Sequence, residues 1–220
     1  MLKKTLVLTL GVLASGCVGS SATVISSGGS GPTITQAQQE QYNGPKQRIA
    51  VTGFDFRAGQ GSRQIGDGMT DMLTDSLFNT GRFIVVERER LSDVTAEQDL
   101  SNSGRFKKET AAPIGQLEGA QLLVRGSITE FEPNCSGGSV ILASTKEACV
   151  GINIRILDAA TGRVVNATTV KGTSSKGSVG LIFTGGSMPI GLGAYKNTPM
   201  EAAIRQSIEA AVQFIAQNKL

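Results

Sequence analysis

The sequence contains no histidine and no tryptophan, and its 220 residues include only three cysteines. Without histidine there can be no Ser/His/Asp or Cys/His machinery and no His-ligated zinc. The side chain that most often shuttles protons near neutral pH is missing as well. Aromatic residues make up 5% of the chain. The N-terminal apolar run, 5–13, falls well short of the ~20 residues that a helix needs to cross a bilayer. What is present in excess is glycine, 28 residues of 220, about 13% against a usual ~7%. With 40% hydrophobic and 18% charged residues, the body of the chain is globular, and its length suits one domain of ordinary size.

Met1-Leu2-Lys3-Lys4, the apolar run and Ala14-Ser15-Gly16-Cys17 follow one another. The first two have the order and length of a secretory signal. Small residues directly before Cys17 resemble the lipobox of bacterial lipoproteins, with Ala14 where that family most often has leucine. The resemblance implies cleavage before Cys17 and acylation of its thiol. It also implies retention at the outer membrane of a Gram-negative cell, since Val18 rather than aspartate follows. The alternative is an ordinary cleaved signal peptide with an incidental cysteine. Residues 1–16 include two lysines and no acid, so the formal charge of +3 belongs mostly to the targeting signal. No nucleic-acid partner is expected.

Residues 17–45 are rich in Ser, Gly, Thr and Gln without apolar periodicity, and read as a flexible tether. Four glycines fall there, at positions 19, 28, 29 and 31. From residue 46 onward the patterns become regular. Arg48 to Phe54 reads as a strand. Ser62 is an N-cap for a helix carrying Ile65, Met69, Met72, Leu73 and Leu77, with Gly81 just past its end. Arg82 to Val86 reads as a short strand, Glu89 to Leu100 as a helix with Leu91 and Val94 on one face, and Thr110 to Glu118 as another short helix limited by Pro113. Gln121 to Phe131 is a long strand. Val150–Leu157 and Gly162–Lys171 flank turn chemistry at 158–162, and Ile152, Ile154 and Ile156 alternate with polar residues. Thr198, Pro199 and Glu201 open a last helix with a capping box, and Ile204, Ile208, Val212 and Ile215 are its core stripe. The pattern predicts an α/β sandwich.

Candidate sites are few. Gly59-Gln60-Gly61 stands near a helix start, but no Gly-Lys-Ser/Thr follows, so no nucleotide site is expected. Asp67 and Asp71 lie one turn apart and read as an exposed helix face, and Glu87 to Arg90 as a solvated helix start. With Cys17 acylated, Cys135 and Cys149 remain. An exported chain meets an oxidising compartment, and a separation of 14 residues suits opposite arms of a hairpin; the alternative is two free thiols.

Arg48-Ile49-Ala50-Val51, Ile65-Gly66-Asp67-Gly68-Met69 and Gly81-Arg82-Phe83-Ile84-Val85-Val86-Glu87-Arg88 occur in this order. They are followed by Gly119-Ala120-Gln121-Leu122-Leu123-Val124-Arg125-Gly126-Ser127-Ile128 and Leu157-Asp158-Ala159-Ala160-Thr161-Gly162. This ordered set resembles the curli-secretion-channel (CsgG) family of outer-membrane lipoproteins, over residue 46 to the C-terminus. The resemblance implies an anticodon-binding-like α/β sandwich facing the periplasm. It implies β-hairpin extensions that join those of other subunits in an oligomeric transmembrane β-barrel. It further implies a homo-oligomeric ring, passive export of curli-type or adhesin subunits without ATP, periplasmic accessory proteins, and neither enzyme activity nor a cofactor or metal.

The candidate membrane hairpins are 132–150, with Lys146-Glu147 as its turn, and 172–194, which holds seven of the glycines. That turn leaves the second arm of 132–150 very short for a spanning strand of ~9–11 residues, whereas 172–194 is long enough but alternates poorly and lacks a girdle of aromatics, Phe183 and Tyr195 being the only ones nearby. Family channels have an aromatic, asparagine-bearing constriction loop between the first strand and first helix. Arg57 to Gln64 stands there without an aromatic residue. The second reading is a membrane-tethered periplasmic adaptor of the same fold that forms no pore.

Overall fold

The computed structural model describes residues 21–24, 42–59, 61–136, 146–175 and 188–217. Strand β1 (Ser21–Val24) is followed by β2 (Gln47–Phe56), helix α1 (Arg63–Asn79), β3 (Phe83–Val85), α2 (Leu91–Ser101), β4 (Leu122–Ser136), β5 (Lys146–Asp158), β6 (Val164–Ser175) and α3 (Pro199–Gln217). The strands form one six-stranded sheet in the order β1-β6-β5-β4-β2-β3. β2 runs parallel to β3 and β4, and β4, β5 and β6 form an antiparallel meander. β1 pairs antiparallel with β6, so the stretch read as a tether contributes an outer strand.

Helices α1 and α3 pack on one face of the sheet and on each other. The reason is visible in the alternation of β5. Ile152, Ile154 and Ile156 are fully buried beneath the helices, whereas Arg155 between them is exposed on the other face. α1 buries Ile65, Met69, Met72, Leu73 and Leu77, and α3 buries Ile204, Ile208, Val212 and Ile215, so both periodic stripes form the core. The helix–sheet distance is set in part by Gly172. A Cβ there would lie about 2.2 Å from the Ala203 carbonyl oxygen and 2.9 Å from the Ser207 nitrogen.

Local chemistry explains most boundaries. The Asp158 Oδ1 accepts from the backbone N–H groups of Ala160 and Thr161 and from the Thr161 hydroxyl, which closes the β5–β6 turn. At α3, the Glu201 N–H donates to Thr198 Oγ1 at 3.4 Å. The Glu201 carboxylate reaches back to the Asn197 N–H at 2.6 Å, one residue earlier than a standard capping box.

Two expectations are corrected. The helix expected over 110–118 is absent; a single 3-10 turn, Lys108–Thr110, precedes an irregular stretch. Pro113 lacks a helix-donating N–H and disfavours helical geometry in Ala112. The Ala112 backbone instead bonds to the end of α2, through Ser101 Oγ and Asn102 Nδ2. Lys146-Glu147 is not a turn either: both residues lie in β5, opposite Ser136 and Cys135 of β4. The α2 helix forms where expected, but its apolar face is only partly covered among the described residues, with Leu91 half-buried. Ser101 is its only buried residue, and Val94 and Leu100 are exposed.

Candidate functional site

β4, β5 and β6 continue beyond the parallel part of the sheet. β2 ends opposite Ile128, while β4 runs on to Ser136. There Cys135 faces Glu147, and Glu147 faces Ser175 on β6. The connection 137–145 and the chain beyond Ser175 therefore leave from the same end of the sheet. The connection between β2 and α1 starts at that end too, where the Arg57 N–H donates to the Ile128 carbonyl at 2.9 Å.

The structure divides the two candidate hairpins. Residues 132–136 and 146–150 belong to β4 and β5, and the middle, 137–145, lies outside the described residues. Of the second, 172–175 completes β6, and 188–194 belongs to the folded domain, with Leu192 fully buried in its core. Residues 176–187 lie outside the described residues, as does Cys17.

Cys135 and Cys149 are joined in a disulfide, with Cα atoms 5.8 Å apart. It links β4 to β5 beside an irregularity in pairing between Glu132 and Cys135, where Pro133 sits. Proline removes a ladder donor, and bulges are among the few places in a sheet that tolerate it. The bond ties Cys135, on the far side of that irregularity, to Cys149, which faces Glu132 on the near side.

Below the disulfide, Phe131 is buried, and its ring meets Phe56 and Tyr195 edge-to-face, with centroids 5.9 and 5.2 Å apart. One residue earlier, Glu130 accepts a 2.8 Å hydrogen bond from Lys171 Nζ. These two lie on β4 and β6, with β5 between them. The residue opposite both is Gly151, and the pair closes over the space its missing side chain leaves.

Farther down the open face lies a shallow polar depression lined by Asp55, Arg57, Arg125 and Arg155. Asp55 accepts from Arg125 Nη2 with both oxygens, at 2.8 and 3.0 Å, and from Arg57 at 3.4 Å. The Arg125 hydrogen bonds hold the Asp55 carboxyl below its usual value. Neither this group nor the Phe131 contacts nor the Glu130–Lys171 pair was expected. The signal was the second face of each alternation: Arg125, Ser127 and Thr129 on β4, and Asn153 and Arg155 on β5.

The charge run 87–90 has more structure than a solvated helix start. Glu87 Oε1 accepts from the backbone N–H groups of Arg88, Glu89 and Arg90 at 2.8, 2.7 and 3.1 Å. Burial pulls the Glu87 carboxyl up, but these donors outweigh it and leave it below the ordinary glutamate value. Arg90 Nη2 in turn grips both oxygens of Asp71 at 2.9 Å, tying the start of α2 to α1. Asp67 and Asp71 thus share no paired-carboxylate site. After α2, Phe106, Ile114 and Leu117 are exposed alongside Val94 and Leu100.

Among the described residues no cluster of His, Cys, Asp and Glu could hold a metal, and no helix is long and apolar enough to cross a membrane.

A family profile described as "Curli production assembly/transport component CsgG" matches residues 31–220. The curli production assembly/transport components CsgG of Salmonella typhimurium and Escherichia coli K12 are 25% identical over 130 residues, 54% of this chain and 47% of each relative. The chain thus matches about half the length of these curated relatives. Among solved structures, the PelC dodecamer of Paraburkholderia phytofirmans aligns with 88% of this chain and 96% of that one, at 14% identity and a TM-score of 0.41. The hypothetical protein CT253 of Chlamydia trachomatis aligns with 79% of this chain and 100% of that one, at 15% identity and a TM-score of 0.45.

Proposed function

The chain belongs to the CsgG family of curli production assembly/transport components, and on that basis we propose that it is a lipid-anchored subunit of a CsgG-type export or assembly channel at the outer membrane. Acylated Cys17 anchors it, and the α/β domain faces the periplasm. Several copies assemble into a ring, and curli-type or adhesin subunits pass through it without ATP. The chain is not an enzyme and uses no cofactor.

The observation that carries this reading is the common exit of 137–145 and 176–187 from one end of the sheet. A subunit that contributes two β-extensions to a shared barrel must present both on its membrane side. The exposed apolar residues of α2 and 102–118 add support, because such surface is a common mark of a protein–protein contact. The disulfide fits the oxidising periplasm.

A second reading is favoured by reach. Ala148, Cys149 and Val150 are buried in the domain, so much of the second arm of 132–150 is already committed to it. A spanning strand takes ~9–11 residues. If the extensions do not span, the chain is a membrane-tethered periplasmic adaptor of the same fold. Detergent extraction of the full chain, particle imaging and planar-bilayer recording separate the two. A closed ring with a lumen and ion conductance that is lost on deleting 176–187 supports the channel. Small assemblies without conductance, with 176–187 open to protease, support the adaptor and sink the channel.

A further inference from the structure

The open face of the sheet holds an unbalanced charge group. Arg125 and Arg155 are direct cross-strand partners in the β4–β5 register. Their side chains share a face, because Val124, Ile154 and Ile156 take the other one. Like charges directly opposite one another destabilise a sheet. The depression they line includes Arg57 and one carboxylate, that of Asp55. Asp55 is already shared between Arg125 and Arg57. Among the described residues no carboxylate pairs with Arg155, so the depression has more cations than anions. The ion pair nearby, Glu130 with Lys171, is balanced and changes nothing in that count.

We propose that this depression is a docking site for an acidic segment of polypeptide, whose carboxylate is received between Arg155 and Arg125. A guanidinium presents a planar fork that matches a carboxylate, and charge-assisted bonds of that kind are the stronger ones. The shape selects a chain over a small anion. The depression is shallow and open to solvent on the sheet surface, whereas small ligands are held in sites that bury most of their surface. Affinity here must come from several modest contacts along a strand. Neutral hydrogen-bonding groups continue beside the arginines: Ser127 and Thr129 on β4, and Asn153 on β5. The Asn153 Oδ1 accepts from Thr169 Oγ1 at 2.8 Å, which leaves its amide N–H groups for a ligand. The proposal does not depend on pore formation, and an adaptor with this face would bind the same class of segment.

The test uses the full chain in detergent and fluorescence anisotropy of a labelled peptide with glutamates spaced by glycine and serine. The same peptide with glutamine at each position is the control. The glutamate peptide should bind at least about fivefold more tightly than the control, with the advantage shrinking as salt is raised. Arg155→Gln, at an exposed position, should remove that advantage. Asp55→Asn, which frees Arg125 and Arg57, should tighten binding several-fold. Equal binding of the two peptides, or an unchanged Arg155→Gln variant, overturns the proposal. Absence of binding by an oligomer that covers this face does so too. Displacement of the peptide by millimolar inorganic phosphate would make the site a simple anion site. Binding only to vesicles containing anionic phospholipid would assign it to the membrane. Either result overturns the peptide reading.

Discussion

Glu130 and Lys171 form an ion pair across a strand to which neither belongs. Their 2.8 Å contact passes over Gly151 of β5, which stands opposite both. A Cβ at Gly151 would lie about 3.0 Å from the Glu130 Cβ and 3.3 Å from its Oε2. Both charged side chains are about one-third exposed, so the pair itself is worth no more than ~1 kcal/mol. Glu130→Gln should therefore cost little. Gly151→Val should cost more, about 1–3 kcal/mol, because it crowds the Glu130 side chain and the Thr129 hydroxyl. Urea unfolding of the two variants gives the comparison directly.

Phe131 holds the segment after residue 188 against the sheet through the Tyr195 ring. Phe131→Ala removes a buried aromatic side chain and should destabilise the domain by about 3–5 kcal/mol. The more specific expectation is that hydrogen exchange at 188–198 rises more than exchange at β2 and α1.

The disulfide closes a loop between residues separated by 14 positions. Loss of that constraint in the paired variant Cys135→Ser, Cys149→Ser should cost ~3 kcal/mol in the chain-entropy model. Denaturation midpoints of the wild-type chain should fall on reduction, and those of the variant should not respond to reductant.

Glu87 gives α2 a pH dependence. A carboxyl whose folded value is lowered stabilises the fold at pH above its unfolded value, and that contribution disappears as pH falls through the folded value. Acidification below about pH 4 should loosen the start of α2, seen as faster amide exchange at 91–95. Glu87→Gln should show the loosened start at neutral pH and little further change on acidification.

Gly172 reports on the helix–sheet contact. Gly172→Ala places a methyl group against the backbone of α3 at Ala203 and should lower stability by about 1–3 kcal/mol, measured by thermal unfolding.

The core was legible in the sequence wherever one periodicity ran uninterrupted. Ile204, Ile208, Val212 and Ile215 on α3, and Ile152, Ile154 and Ile156 on β5, are buried as their spacing implies. The same reasoning misplaced 110–118, because Ile114 and Leu117 have helical spacing but Ala112 is bonded to the end of α2. Short apolar spacing cannot distinguish a buried stripe from surface left for a neighbour, and Val94 on α2 is such a case. Cys135 and Cys149 could be seen as two positions on a hairpin, but their bulged register could not, since it depends on where Pro133 interrupts the ladder. The Arg125–Arg155 opposition required the β4–β5 alignment, which the residues between the strands leave open in sequence.

The position of the disulfide has a mechanical consequence. A pull applied to 137–145 enters the sheet at the tips of β4 and β5 together, and wherever it falls unevenly on the two strands it strains the ladder between them from that tip. At that tip Cys135 stands one residue from the end of β4 and Cys149 three residues from the start of β5. Their bond meets the load before almost any hydrogen bond does. Tension from that segment is therefore borne by a covalent link and shared between two strands, and the sheet beneath is spared peeling.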